Sequence, residues 1–338
     1  MPHSSPLHAG RRQWMGQALA CTALAAMPLL PRSALASGKY PDKPIRLLVG
    51  FPPGGGADFV ARQVAQQLGQ ALGGSIVVEN KAGANGVIAA SEVARAAADG
   101  YTLLLGVTAS QTISPVLSTK TPYDPLRDFT PITNLGSTPL VLVVNPRLPV
   151  KTTRDFIDYV RRSAEPVPYG SAGTGNITHM AAELFIQKTG LSNLRHIPYK
   201  GSSQVLTDLL GGHVAAYFDT LPSSLPYIQS GQLRALGVSS RQRSPSAPDI
   251  PTLDESGAPG YDTTTWFGLF APPNLNAELA HTLHEATRKA MSGAQAQQGM
   301  TARGVEPILN SPESFRAELE TELARWRTVT QASAIRLD

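Results

Sequence analysis

Nine residues, Gly50-Phe51-Pro52-Pro53-Gly54-Gly55-Gly56-Ala57-Asp58, constrain most tightly what this chain can fold into. Before them runs Ile45-Arg46-Leu47-Leu48-Val49, a short apolar run of strand type. After them Val60, Val64, Leu68 and Leu72 recur at four-residue spacing, the buried stripe of a helix. The stretch is therefore a strand-to-helix turn. Two prolines stiffen it, and three glycines remove side chains where the helix begins. N–H groups at a helix start lack intrahelical acceptors and carry the positive end of the dipole, so such a turn can seat an anion. It also fits a plain tight loop in which Asp58 caps its own helix. No Lys-Ser/Thr pair follows the glycines, so this is not a P-loop, and consecutive glycines do not make a dinucleotide fingerprint. A small carboxylate suits the turn better than a nucleotide.

A chain of 338 residues can bury two ordinary domains. The first 36 residues read instead as a cleaved export signal: Arg11-Arg12, an apolar segment from Ala18 to Leu30, and Ala34-Leu35-Ala36 before Ser37. Arg11-Arg12-Gln13-Trp14-Met15 has the form of a twin-arginine motif, and a Sec signal also fits. The apolar run is too short to span a bilayer, and Pro28 interrupts it. The single cysteine, Cys21, lies inside this leader, so the exported chain carries no disulfide and no thiol chemistry. Export without disulfides suggests a bacterial periplasm. The leader also holds three arginines and no acid, so the net charge of +4 falls to +1 on cleavage. No basic patch remains to argue for nucleic acid.

Beyond the first turn the pattern alternates. A strand at Ile76-Val77-Val78 leads into the loop Asn80–Gly86, a small-residue helix over Val87–Ala98 and a strand over Tyr101–Gly106. Short loops between such elements imply a parallel sheet with crossover helices, and ligands sit at the carboxyl ends of its strands. Phe51–Asp58, Asn80–Gly86 and Thr108–Gln111 then share one rim. Residues 114–131, rich in Pro, Thr and Asp, read as a surface excursion, and Leu140–Val144 as a fully buried strand. A second series follows: helices near 154–162, 177–188 and 202–210, and strands near 169–171, 194–197, 214–218 and 233–238. Trp266–Ala271 reads as another strand, and three helical segments close the chain, the last opening at Ser311-Pro312-Glu313.

The second unit repeats the device of the first. Gly170-Ser171-Ala172-Gly173-Thr174-Gly175-Asn176 joins a strand end to a helix start, with hydroxyl and amide donors beside bare N–H groups. Two such turns could clamp an anion between them, although an ordinary connecting loop has the same composition. His179 and Glu183 stand four apart on the next helix, but no third ligand has the spacing for a metal, and none is expected. Lys200, in the turn Pro198-Tyr199-Lys200-Gly201, can meet a carboxylate or simply be solvated. Asp219, at a strand end, can accept from a ligand amine or cap neighbouring N–H groups. There is no Gly-x-Ser-x-Gly elbow, no His-Glu-x-x-His and no available cysteine, so the reading is a binder rather than an enzyme, with no cofactor.

In order along the chain, these stretches resemble the extracytoplasmic solute receptors of the tripartite tricarboxylate transporter family, often called Bug proteins. The likeness rests on Tyr40–Ile45, Gly50–Asp58, Glu79–Gly86, Asp99–Leu103, Tyr169–His179, Ile197–Gly201, Asp208–Gly212, Phe218-Asp219, Ile250–Leu253 and Trp266–Pro273. It covers nearly all of residues 40–330. Asn176 stands where many relatives have Ser, and Thr108–Pro115 departs from a stretch that usually carries Asn before the Pro.

The resemblance implies a type 2 periplasmic-binding-protein fold, two α/β domains joined by two crossing strands around a ligand cleft. Residues 38–139 with 268–338 would form one domain and 140–267 the other, with crossings near Pro139–Val144 and Trp266–Phe270. The ligand would be a small organic carboxylate held by the two turns, partly through ordered water. Expected ligand-binding residues are Phe51, Gly54, Gly55, Gly56, Asp58, Asn85, Ser110, Gln111, Ser171, Thr174, Gly175, Asn176, His179, Lys200 and Asp219. A monomeric receptor delivering to a membrane permease follows, with docking on a sensor kinase as the rival role and a periplasmic hydrolase as the enzyme alternative.

Overall fold

The computed structural model describes residues 40–332. The expected export segment at residues 1–36 lies outside the described residues.

Strand and helix alternate from the start: β1 (Ile45–Val49), α1 (Gly56–Leu72), β2 (Ile76–Asn80), α2 (Val87–Ala94) and β3 (Thr102–Val107). Helix α1 forms where expected because Val60, Ala61, Val64 and Leu68 bury one face, and it stops at Gly73, whose φ of 67° few other residues adopt. A π-helical turn over Ala109–Ile113 then runs into α3 (Ser114–Leu117), before the 15-residue strand β4 (Thr130–Val144). The second series is α4 (Thr153–Arg162), β5 (Val167–Ser171), α5 (Ile177–Thr189), β6 (Leu194–Pro198), α6 (Ser202–Gly211), β7 (Ala216–Thr220), α7 (Leu221–Gln229) and β8 (Arg234–Val238). After α8 (Leu253–Ser256) come β9 (Thr264–Ala271), α9 (Ala277–Met291), α10 (Ala294–Thr301), β10 (Glu306–Pro307) and α11 (Pro312–Ala332).

The strands join in the order β2-β1-β3-β9-β4-β7-β5-β6, with β8 and β10 pairing β4 beside this path. β1, β2 and β3 are parallel, as are β5, β6 and β7, which is the arrangement that short crossover helices demand. β4 connects these two halves. Its residues Thr130–Pro139 pair antiparallel with β9, and Leu140–Val144 pair with β7 and β8.

Both faces of the inner strands are buried, which is why they read as continuous apolar runs, while the edge strands β2 and β6 stay half-exposed. In the first half Ile45, Leu47 and Val49 pack with Val60, Val64 and Leu68, while Leu48 faces Phe129, Phe270 and Phe315. In the second, Leu140, Leu142 and Val144 pack with Phe156, Phe185 and Phe218, while Val141 and Val143 face Val205, Leu209 and Tyr217.

Three sequence expectations need correction. Residues 114–131 are not a surface excursion: Leu117, Tyr123 and Phe129 are buried, and the Tyr123 hydroxyl donates to the Ser110 carbonyl at 2.7 Å. Strand β4 begins at Thr130 rather than near Pro139, because its polar first half is buried between β9 and the C-terminal elements. Helix α7 was missed, since Pro226 lies inside it.

Candidate functional site

The turn after β1 is held by one carboxylate. Asp58 is buried; its Oδ2 accepts from Gly54 N at 3.0 Å and Arg62 Nε at 2.9 Å, and its Oδ1 accepts from Asn80 Nδ2 at 3.0 Å. Burial pushes this carboxyl up, but the bonds from Arg62, Gly54 and Asn80 outweigh it and hold the group below the usual range. Asn80 Nδ2 also reaches the Phe51 carbonyl at 3.0 Å, which ties the end of β2 to the turn. Gly50 lets the neighbouring loop come close, since a Cβ there would lie 2.3 Å from Gly86 Cα.

The second turn is fastened differently. Ser171 Oγ contacts His196 Nε2 at 2.6 Å, donates to the Gly173 carbonyl at 3.1 Å and accepts from Gly173 N at 3.2 Å. His179 Nδ1 accepts from Gly175 N at 3.0 Å, and its ring stacks on His196 with centroids 3.9 Å apart. Glu183 closes the group, accepting from the Tyr169 hydroxyl at 2.7 Å and lying 3.4 Å from His179 Nε2. Asn176 caps α5 through Thr178 N, and its Oδ1 also accepts from the Thr178 hydroxyl, both at 3.1 Å.

Four helix starts meet at one cavity of about 40 Å³ between the halves of the sheet. Gly55 and Gly56 come from α1, Asn176, Ile177 and Thr178 from α5, Ser202 from α6, and Thr220 from just before α7. Phe51, Pro52, Val107 and Phe267 supply apolar walls, and no charged side chain lines the space. The first intrahelical bond of α1 runs from Phe59 N to the Gly55 carbonyl, so the N–H groups of Gly56, Ala57 and Asp58 have no intrahelical acceptor. Thr220 Oγ1 is buried without a partner among the described residues, and a Cβ at Gly56 would lie 2.6 Å from it. Such a place favours a small anion held by neutral donors.

A second cavity of about 400 Å³ shares Ala172 with the first. Gly83, Ala84, Asn85 and Val87 line it from one side, Gly173, Thr174, Tyr199 and Lys200 from the other, and Ser114, Ser118, Lys120 and Thr121 complete it. Across it, Asn85 Nδ2 donates to the Thr174 carbonyl at 2.6 Å. Gly201 packs against Pro52, where a Cβ would meet the proline ring at 2.4 Å. The halves are thus in contact along this rim.

Of the expected site residues, Phe51, Gly55, Gly56 and Asn176 meet at the smaller cavity, and Asn85, Thr174 and Lys200 at the larger. Gly54, Asp58, Ser171, Gly175 and His179 stand behind the walls and fix the loops. Three lie elsewhere. Ser110 is buried with its hydroxyl on Val107, and Gln111 is fully buried with an amide that has no partner among the described residues. Asp219 is fully buried, accepting from Thr220 N at 2.9 Å and Ser224 Oγ at 2.7 Å; burial raises its carboxyl above the ordinary value. Thr220 and Ser202 escaped the sequence reading. The signal for Thr220 was Leu221-Pro222, a proline in the first turn of a helix.

The sequence matches the model of the tripartite tricarboxylate transporter family receptor over residues 60–335. The chain belongs to this family. It is 36% identical over 299 residues to Protein BugT of Bordetella pertussis, covering 88% of this chain and 91% of that one. The structure of Rpa4515 from R. palustris with adipate is 34% identical, with a TM-score of 0.85 over 88% of this chain and 99% of that one. MatC of Rhodopseudomonas palustris with bound malate is 29% identical, with a TM-score of 0.80 over 86% and 99%. The fold is therefore that of the two-domain periplasmic binding proteins, and the chain is a solute-binding receptor. Among the described residues no helix is long and apolar enough to cross a membrane.

Proposed function

We propose that this receptor captures a small organic carboxylate in the periplasm, closes over it, and delivers it to a membrane permease of the tripartite tricarboxylate type. The observation that carries the reading is the convergence of four helix starts on a cavity without a charged wall. The carboxylate ligands named for Rpa4515 and MatC support it. In this reading the N–H groups of Gly56 and Ala57, the Asn176 amide and the Thr220 hydroxyl receive the ligand head, and Phe51 and Phe267 exclude water.

We assign residues 38–139 with 268–338 to one lobe and residues 140–267 to the other. The change of partners along β4, from β9 up to Pro139 to β7 from Leu140, supports a hinge there. Ligand favours the closed form through contacts made to both lobes at once. A hydrolase reading has one point in its favour, the Ser171–His196 contact at 2.6 Å. Yet Ser171 is fully buried, away from both cavity walls, and its hydroxyl is committed to Gly173, so it braces the turn.

Gly55→Asp tests the seat. A Cβ at Gly55 meets nothing closer than Ser202 Cβ at 3.7 Å, and its φ of −86° suits any residue. The variant should fold as the wild type does while placing a negative charge where the ligand head sits. A thermal-shift screen of dicarboxylates, tricarboxylates, acidic amino acids and aromatic acids supplies the ligand; at a hundredfold over Kd, binding adds about 2.7 kcal/mol. Loss of the shift in Gly55→Asp supports the assignment, and an undiminished shift sinks it.

A further inference from the structure

Helix α7 carries a gap in its own bonding. A helical carbonyl is normally taken by the N–H four residues on, and four residues after Pro222 stands Pro226, which has no N–H to give. The Pro222 carbonyl is therefore left open to another donor. It receives one from a distant part of the chain: Arg303, in the turn after α10, donates to it from Nη1 at 3.2 Å. The guanidinium of Arg303 also lies over the ring of Phe59 on α1, 4.8 Å from its centre. Stacking of this kind fixes a flat cation in one orientation, so the side chain is set on one half of the sheet before it reaches the other.

The turn that carries Arg303 is itself fastened. The Gly304 carbonyl accepts from Thr138 Oγ1 at 2.6 Å, just before β4 exchanges β9 for β7. Gly304 has a φ of 83°, and a Cβ there would lie 2.5 Å from Leu221 Cδ2, so glycine is what lets this turn lie against α7. Phe59 is one turn of α1 beyond Gly56, and Pro222 lies just beyond Thr220. Gly56 and Thr220 are in turn the residues through which α1 and the start of α7 approach each other at the smaller cavity. Arg303 lines neither cavity, so it bears on the ligand only through these two helix starts.

We infer that Arg303 is a positioning residue for ligand capture: its bond to the Pro222 carbonyl, an acceptor that Pro226 leaves open, holds α7 against α1 in the closed form and slows release. This rests on the carboxylate reading of the smaller cavity. Pro226 then has a purpose that its cost to α7 does not explain, since the same missing N–H that weakens the helix supplies the acceptor for the other half.

The test is stopped-flow kinetics on the purified receptor with succinate, glutarate, citrate and benzoate as probes, with thermal midpoints read alongside. Arg303 is half-buried, so Arg303→Met should leave the core intact while raising the off-rate about threefold to tenfold, with less change in the on-rate. Arg303→Lys keeps a donor but not the flat stacking group, and should fall between. Pro226→Ala supplies the missing N–H and draws the Pro222 carbonyl back into its helix. It should therefore speed release as well, while its thermal midpoint holds or rises, a divergence that simple loss of stability would not give. The double variant should release the probe little faster than the quicker single variant, because both changes act on one carbonyl. An off-rate unchanged by Arg303→Met, or effects that multiply in the double variant, overturns the latch while the wild type still binds. Absence of binding by every probe overturns the carboxylate reading itself, and this inference with it.

Discussion

Gly55 and Gly56 are neighbours with different freedom. At the first, a Cβ would make only an ordinary contact with Ser202 Cβ at 3.7 Å; at the second, it would sit 2.6 Å from Thr220 Oγ1 and 3.5 Å from Pro222 Cγ. Gly56→Ala should therefore force the first half away from α7, weakening carboxylate binding by about tenfold or more, equivalent to about 1.4 kcal/mol, in calorimetry. Unchanged affinity would show that the halves do not close on this contact. At this scale the sequence was most informative where backbone mattered: glycines and prolines declare a turn without knowledge of its neighbours. Asp58 illustrates the limit, because its cap-like position was plain while its bond to Asn80 required the register of β2 beside β1. Thr220 and Lys120 could not be singled out, since threonine and lysine are common in loops and only packing brings these two to a cavity.

The turn before α5 is braced by a stack of rings on β5, β6 and α5, in the order Tyr169, His196, His179. Burial, then the neighbouring His179, pushes the His196 imidazole down to about 4. In the unfolded chain the same group takes a proton near its ordinary value of about 6.5. Between these values the unfolded state binds more protons, so stability falls as pH drops from about 6.5 towards 4 and the contribution levels off below that. Thermal midpoints measured from pH 7 to pH 5 should decline less steeply in His196→Gln than in the wild type. Equal slopes would place the titration elsewhere. The elements themselves were legible wherever apolar spacing was regular, as in α1, α5 and β4 beyond Pro139. They were obscured where polar residues are buried, as over Thr130–Thr138, or where proline sits within a helix, as in α7.

Across the whole molecule, strand β4 belongs to both halves, and Asn85 and Arg303 are among the side chains that reach from half to half. Strand β4 carries one of the covalent connections, and Asn85 donates to the Thr174 carbonyl on the far rim. Asn85→Ala removes that contact without touching the seat. It should raise Kd about threefold to tenfold, with most of the change in the off-rate, read by stopped-flow or surface binding. An unchanged off-rate would mean that the rim contact does not govern opening. The overall architecture was recoverable from alternation and from the ordered set of motifs. The point at which β4 changes partners, between Pro139 and Leu140, was expected only from the family resemblance, because nothing in a run of buried residues marks which strand lies beside it.

The smaller cavity has no cation in its lining, and if it is the seat proposed above, this bears on how the receptor would part with its cargo. Once the halves separate, water can take over each backbone donor nearly one for one, so little attraction remains to hold the head group in the open form. Retention then depends on the lid rather than on the floor. A partner that only pried the rim apart would obtain the solute without having to compete for it, and the time a cargo stays aboard would be the time the clasp stays shut.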